Sequence, residues 1–231
     1  MNTPIAAPPV HHIALAGAEL SALGSGALWW PAERLLCISD LHLGKSERMA
    51  RRGGSTLPPY ETQDTLTRLA ADLDRTGASR VICLGDSFDD AEAAGALPEA
   101  DRLWITQLQA GRDWTWIEGN HDPGPIALGG AHRAEMQIGP LTFRHIATEG
   151  AQGEVSGHYH PKARIRTRAG RIARPAFLVD DTRLILPAYG TYTGGLDCGS
   201  APLSGIMNPN AIAILTGRTP LPVPMPRQGV K

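Results

Sequence analysis

Five short runs in this chain end alike, each giving way within a few residues to side chains that bind metals or move protons. Leu35–Ser39 (LLCIS) precedes Asp40 and His42, and Arg80–Leu84 (RVICL) precedes Asp86 and Asp89. Trp114–Ile117 precedes Asn120, His121 and Asp122; Leu141–Arg144 precedes His145; Glu154–Ser156 precedes His158 and His160. Runs this short are poor helices and read as buried strands. In open α/β sheets, ligands bind outside the carboxyl ends of the strands. Such a chain is expected to pool these side chains in one crevice.

Two helical patterns separate the first three runs. In Tyr60–Thr76, Leu66, Leu69, Ala70 and Leu73 recur at i, i+3, i+4 and i+7, and Gly77 supplies the stop. Pro98–Ala110 is the second, with Leu103 and Leu108 expected inward and Gly111 after its end. Strand–helix–strand–helix–strand implies parallel pairing with covering helices. Further along, Ala163–Thr167, Ala176–Val179, Arg183–Leu186 and Ala211–Leu215 join the last two runs as short strands, and few helices fit. This pattern predicts a second, largely antiparallel sheet packed on the first. His12–Trp30 is expected to add a hairpin to that second sheet, turning near Gly24-Ser25-Gly26. The expected fold class is α/β, a two-sheet α/β sandwich with flanking helices. Residues 1–11 read as a flexible leader, 12–218 as one domain and the Pro-rich stretch 219–231 as a tail.

Composition adds limits rather than direction. A chain of 231 residues, 42% hydrophobic, is long enough for one sizeable core, and a net charge of -1 gives no bulk pull toward nucleic acid or membrane. Three cysteines, Cys37, Cys83 and Cys198, make no disulfide framework and read as small buried groups. The first residues lack the basic start and apolar core of a signal peptide, and no apolar run approaches a membrane span. A cytoplasmic protein with no membrane partner is the expectation.

Imidazole and carboxylate without thiolate suit manganese, iron, zinc and similar divalent ions. Asp40-Leu41-His42 and His158-Tyr159-His160 place two donors at i and i+2, which in extended backbone point the same way. Gly85, Gly119 and Gly157 precede three of the motifs, where they let the chain turn and keep bulk away from the ions. Each motif alone has a bland reading: a surface Asp-x-His pair, an acidic loop at a helix start, a satisfied sheet histidine. Their ordered recurrence after strands is what points to a metal centre.

The series Asp40-Leu41-His42 (DLH), Gly85–Asp90 (GDSFDD), Gly119–Asp122 (GNHD), a lone His145 and Gly157–His160 (GHYH) resembles the calcineurin-like metallophosphoesterase family. The resemblance implies two divalent ions, with manganese expected and iron, zinc and magnesium open. Asp40, His42, Asp86 and His160 would hold the first; Asp86 would bridge to the second, completed by Asn120, His145 and His158. His121 would lie over the phosphate and stabilise or protonate the leaving oxygen, oriented by Asp89. Asp89 also reads as a cap on the helix after GDSFDD. Paired ions about 3.5–4 Å apart clamp the attacking and leaving oxygens of an in-line displacement and supply a hydroxide nucleophile near neutral pH. More narrowly, LPPYET at Leu57–Thr62, GHYHPKARIR at Gly157–Arg166, RPAFLV at Arg174–Val179 and LILPAYGTYTGGLD at Leu184–Asp197 resemble the ligase-associated DNA damage response endonuclease branch. That likeness implies a DNA endonuclease of repair, with single-stranded DNA as substrate and a DNA ligase or helicase as its setting.

Two basic features bear on substrate. Lys162, Arg164, Arg166 and Arg168 alternate and would share one strand face, and no acidic residue interrupts positions 162–174. A phosphate backbone passing the metals would lie along this stripe, or the charges simply guard a solvated edge strand. Lys45–Gly54, with Lys45 and Arg48, reads as a mobile basic lid or as an ordinary long loop. Tyr159, Tyr189 and Tyr192 are the aromatic side chains best placed for substrate, with core packing as the competing reading. The leading function is a phosphodiesterase acting on nucleic acid. A hydrolase of small nucleotides, other phosphate esters or a lipid-linked pyrophosphate is the enzymatic alternative, and a non-catalytic metal-binding scaffold is the alternative of another class. The stripe favours the first, and the complete set of ligand-type residues counts against the last.

Overall fold

The computed structural model describes residues 9–227 apart from 52, 54–57, 91, 125–126 and 169. The first sheet follows the chain in order: β1 (Val10–Leu15), β2 (Ala18–Leu23), β3 (Leu28–Trp30), β4 (Leu35–Ile38), β5 (Arg80–Leu84), β6 (Asp113–Ile117) and β7 (Ala131–Arg133). From β1 to β4 neighbours are antiparallel; from β4 to β7 they are parallel. The expected parallel centre is therefore present. The hairpin assigned to His12–Trp30 is not where the sequence put it. The segment is a three-strand meander with turns at Ala16-Gly17 and at Gly24–Gly26, and it extends the first sheet, not the second. Alternating burial reports a covered face; it does not say which edge supplies the hydrogen bonds.

The second sheet contains β8 (Glu135–Ile138), β9 (Leu141–Arg144), β10 (Glu154–Ser156), β11 (Lys162–Thr167), β12 (Gly170–Val179), β13 (Arg183–Ile185), β14 (Ile212–Leu215) and β15 (Leu221–Pro224). Its order is β15-β14-β12-β13-β10-β9-β8, with β11 paired only to the first half of β12. Its outer pairs are antiparallel, whereas β10 runs parallel to both β9 and β13. That parallel centre brings the carboxyl ends of β9 and β10 side by side. Two sequence boundaries move: His11, placed in the leader, lies in β1, and the supposed tail contains β15, followed by a buried Met225. β15 is an edge strand, the position in a sheet that tolerates Pro222 and Pro224.

The two sheets bury one apolar layer between them, including Leu20, Leu35, Cys37, Ile82, Phe143, Val155 and Phe177. A second layer lies between the first sheet and the helices. Helix α1 (Lys45–Arg51) leads into α2 (Glu61–Thr76), which buries Leu66, Leu69 and Leu73 as the spacing predicts, each contributing about 1.5–3 kcal/mol. Glu61 and Asp64 stand at its positive end, and Gly77 closes it at φ 61°. After the single turn α3 (Ala93–Ala96), α4 (Glu99–Gln109) turns Asp101, Ile105 and Leu108 inward. Leu103, expected inward, is 55% exposed. The buried set runs i, i+4, i+7 from Asp101, and a carboxylate in the seam hid that phase from a hydrophobic count. The short α5 (Ala201–Ile206) covers the outer face of the second sheet with Leu203. All three cysteines are buried and free.

Candidate metal centre

Five strand ends converge as the sequence anticipated. Asp40 and His42 follow β4, Asp86 follows β5, Asn120 follows β6, His145 follows β9, and His158 and His160 follow β10. Asp40, His42 and His160 bring one donor atom each within 4.8 Å of one another, and so do Asp86, His145 and His158. Each triad draws on both sheets. In the first, His160 Nε2 lies 3.1 Å from Asp40 Oδ1 and 3.3 Å from His42 Nε2. In the second, His145 Nε2 lies 3.3 Å from Asp86 Oδ2, 3.2 Å from His158 Nδ1 and 3.0 Å from Asn120 Oδ1. The triads adjoin, because Asp40 Oδ1 is also 3.9 Å from His145 Nδ1.

The local backbone differs from the extended one expected. Asp40, His42, Asp86, His158 and His160 all have positive φ, between 44° and 70°. Between Asp40 and His42 the intervening Leu41 turns away and is buried in the core. Non-glycine residues held in this left-handed region cost of order 1 kcal/mol or more each and persist only where the surroundings over-determine them. The glycines are needed for close approach. A β-carbon on Gly119 would fall 2.1 Å from the Asp86 amide nitrogen, and one on Gly157 would fall 1.8 Å from Ser39 Oγ.

A hydrogen bond sets the tautomer of His145. His145 Nδ1 lies 3.1 Å from the Leu84 carbonyl, which can only accept, so Nδ1 carries the proton and Nε2 faces the cluster with its lone pair. His42 Nδ1 is 3.0 Å from the Asp89 carboxylate without an aligned hydrogen bond, and its Nε2 lies 3.3 Å from His160 Nε2. This corrects the role of the Asp89 side chain. The resemblance made that carboxylate the partner of His121, but it braces His42 and is itself clamped by Arg48, with Lys45 Nζ 3.9 Å away. His121 Nδ1 instead meets the Asp89 main-chain carbonyl at 2.8 Å. His42, Asp89 and His121 also cluster within metal-binding distance, but this carboxylate already has cationic partners. The segment from Lys45, read as a lid or loop, is helix α1 as far as Arg51, while positions 52 and 54 lie outside the described residues.

The electrostatics favour ionised carboxylates. Burial pushes the Asp40 carboxyl up, yet His160, His145 and Ser39 together outweigh it and hold it below the usual range. For Asp86, burial is again outweighed, here by His145 and the His121 amide, and the group falls to about 2. Asp89 is lowered against burial by His42, Lys45 and Arg48. Burial lowers His145, but Asp86 and Asp40 more than reverse this and raise it. His158 is lowered by burial and by His145. Two atoms of the first triad make no hydrogen bond although buried, His42 Nδ1 and Asp40 Oδ1, and the second is the telling one. An ionised carboxylate oxygen without a donor, ringed by imidazole nitrogens, fits a cation, and the residues present suit the divalent metals their types suggested.

Asp122 follows Asn120 and His121 in the sequence, and the structure gives it a different task. Its buried carboxylate accepts from the amides of Ser87, Phe88 and Gly119, tying the loop after β6 to the loop after β5. Burial raises it to about 6. Ser39, absent from the sequence reading of the site, donates to Asp40 Oδ2 at 2.5 Å. Its signal was faint, a lone hydroxyl at the end of a strand. Of the basic stripe, Lys162, Arg164 and Arg166 alternate along β11, while Arg168 lies in the turn before β12. Lys162 Nζ is used on the Thr193 carbonyl, and the Arg164 guanidinium lies 3.2 Å from Asp197. These four do not join the metal cluster. Tyr189 is core, its hydroxyl donating to Asp72, whereas Tyr159 is half-buried and Tyr192 exposed. No helix among the described residues is long and apolar enough to cross a membrane.

Comparison with known proteins agrees with this geometry. No curated protein matches the chain. The crystal structure of Pseudomonas putida nuclease MPE matches with a TM-score of 0.70 at 29% identity, covering 92% of this chain and 100% of that one. The model of the family described as calcineurin-like phosphoesterase matches residues 33–192, the stretch that carries every donor named above. This chain belongs to the calcineurin-like phosphoesterase family.

Proposed function

We propose that the protein is a binuclear-metal phosphodiesterase acting on nucleic acid, an endonuclease on DNA that uses manganese and works in repair. The observation that carries the reading is the pair of adjoining donor triads, Asp40/His42/His160 and Asp86/His145/His158, with Asp40 Oδ1 unpartnered between them. Likeness to a nuclease over its full length supports nucleic acid as substrate, and the ligase-branch motifs support DNA.

Asp40, His42 and His160 would hold one ion and His145, His158 and Asn120 the other, with Asp86 shared. Such ions supply Lewis acidity at the phosphoryl oxygens and an activated water near neutral pH. The protein's own part is set by its hydrogen bonds. With Nδ1–H donated to the Asp89 carbonyl, His121 keeps Nε2 free at the rim of the centre, where a protonated ring can pass its proton to the departing oxygen. The His121 amide donates to Asp86 Oδ1 at 2.8 Å, so one residue ties the proton donor to the shared carboxylate. The Asp89 carboxylate, held by Lys45 and Arg48, lies 3.0 Å behind His42 Nδ1 and would favour the ring orientation that turns Nε2 to the metal.

The test is a metal-by-substrate panel on metal-stripped protein reloaded with manganese, iron, zinc or magnesium. Substrates are a phosphomonoester, an aryl diester, a cyclic nucleotide, and single-stranded and duplex DNA. Internal cleavage of DNA, fastest with manganese, is expected. Stoichiometric loading of two ions with no diester hydrolysis would discard the reading in favour of a scaffold.

A further inference from the structure

Behind the histidines that follow β10 lies a cavity of about 630 Å³, bounded by the loop from Ala147 to Gln152, by Tyr159, by Thr182 and Arg183, and by α5. Its connection to the metal centre is one ring deep. Tyr159 stands between His158 and His160 in the chain, and its ring meets the His158 imidazole edge to face, with centroids 5.0 Å apart and planes at 80°. A group seated against Tyr159 would therefore sit one aromatic layer from a donor of the second triad.

The chemistry of the cavity narrows what that group is. Arg183 has only 6% of its side chain exposed. Its charge is met by buried Glu154 at 3.4 Å, and its remaining bonds go to the carbonyls of Thr148 and Ala151 and to the Thr182 hydroxyl. The floor is thus polar without net positive charge, and Glu149 on the wall adds a negative one. A phosphate or other anion gains little there. A flat neutral group with hydrogen-bonding edges gains more, because Gln152, Thr182 and Asn208 line the same space and an aromatic ring forms one side.

We infer that this cavity is a nucleobase subsite: it receives the base flanking the scissile phosphate, stacked on Tyr159. The inference deepens the phosphodiesterase reading and rests on it. Stacking of a base on an aromatic side chain is sequence-tolerant, so the subsite would grip a nucleotide without demanding one sequence.

Gly205 gives a way to close the cavity without touching the metals. It lines the cavity from α5, and a β-carbon there meets no atom within 4 Å. The substrates are the p-nitrophenyl esters of thymidine 5′-phosphate and of methyl phosphate, which share a leaving group and differ only in the nucleoside. The unaltered manganese-loaded protein should prefer the thymidine ester in kcat/KM by about tenfold or more. Gly205→Phe should abolish that preference while leaving the methyl ester unchanged, and Gly205→Ala should keep it. No preference in the unaltered protein, or a preference that survives Gly205→Phe, overturns the subsite. Equal loss on both esters in Gly205→Phe also overturns it, as a general disturbance of the fold. If the unaltered protein cleaves neither ester, the phosphodiesterase reading falls, and calorimetry with thymidine 5′-monophosphate judges the cavity by itself. Binding that Gly205→Phe weakens about tenfold sustains the subsite; equal binding by both proteins rejects it.

Discussion

Replacing Gly157 by alanine should break the centre through one atom. The new β-carbon would lie 1.8 Å from Ser39 Oγ and 2.7 Å from Asp40 Oδ2, whereas ordinary contacts lie near ~3.5 Å. The end of β10 must then draw away from the end of β4 by roughly 1.5 Å, in a region where Ser39 and Asp40 are fully buried. Gly157 does not have a positive φ, so the cost comes from contact and not from the backbone. Overpacking of this kind costs about 3 kcal/mol. Ser39→Ala alone loses a hydrogen bond to a charged acceptor, about 2 kcal/mol. Together they should cost less than the sum, because removing Oγ leaves Asp40 Oδ2 and the Ser39 β-carbon, at 2.7 and 3.0 Å, as the nearest obstacles. A coupling of about 1–2 kcal/mol is expected. Urea midpoints of the metal-free single and double variants measure it, with metal content by mass spectrometry as the second readout. Additivity within about 0.5 kcal/mol would refute the contact argument.

Four further outcomes are expected. His121→Ala should keep both ions, counted by elemental analysis, and reduce turnover of an aryl diester about a hundredfold; parallel loss of metal would make it a ligand. Asp86→Asn should lower occupancy of both sites in anomalous scattering, and one site left full would end its role as the shared carboxylate. Alanine at Arg164, Arg166 and Arg168 should slow cleavage of single-stranded DNA with a shallower salt dependence, yet spare a small aryl diester; unchanged DNA cleavage removes the stripe from the substrate path. In metal-free protein, the depressed Asp86 carboxyl contributes stability that is present above 3.8 and lost as pH falls through about 2. Raised His145 acts oppositely, its contribution complete below 6.5 and lost as pH rises through its folded value. Urea midpoints should fall at both ends, with the acid-side loss reduced in Asp86→Asn; an acid-side loss unchanged in that variant would exclude Asp86 as a source.

Much of the site was legible because its donors follow strands that announce themselves. LLCIS, RVICL and WTWI are apolar enough to be read alone, and a donor just beyond each can be placed without knowing the turn. What the sequence hid was direction. Asp89 was visible as an acid near His121, but only the turn of its loop decides whether carboxylate or carbonyl faces that ring. The i, i+2 pairs reach the cluster through left-handed backbone and not the extended one expected, and His158 and His160 divide between the two triads, because left-handed residues leave no mark in composition. Edge pairing was equally silent: residues of β1 to β3 bury a face against the second sheet while bonding to the first.

Each triad takes donors from both sheets, with Asp40, His42 and Asp86 on one side of the sandwich and His145, His158 and His160 on the other. A cation held by either triad is consequently a rivet through the seam. Its binding energy adds to the cohesion of the whole domain, and neither sheet can slide on the other without breaking coordination. Chelation would then loosen the molecule along the plane between its halves before it unravelled either one, so that ions held there would set both the chemistry of the crevice and the rigidity of the walls around it.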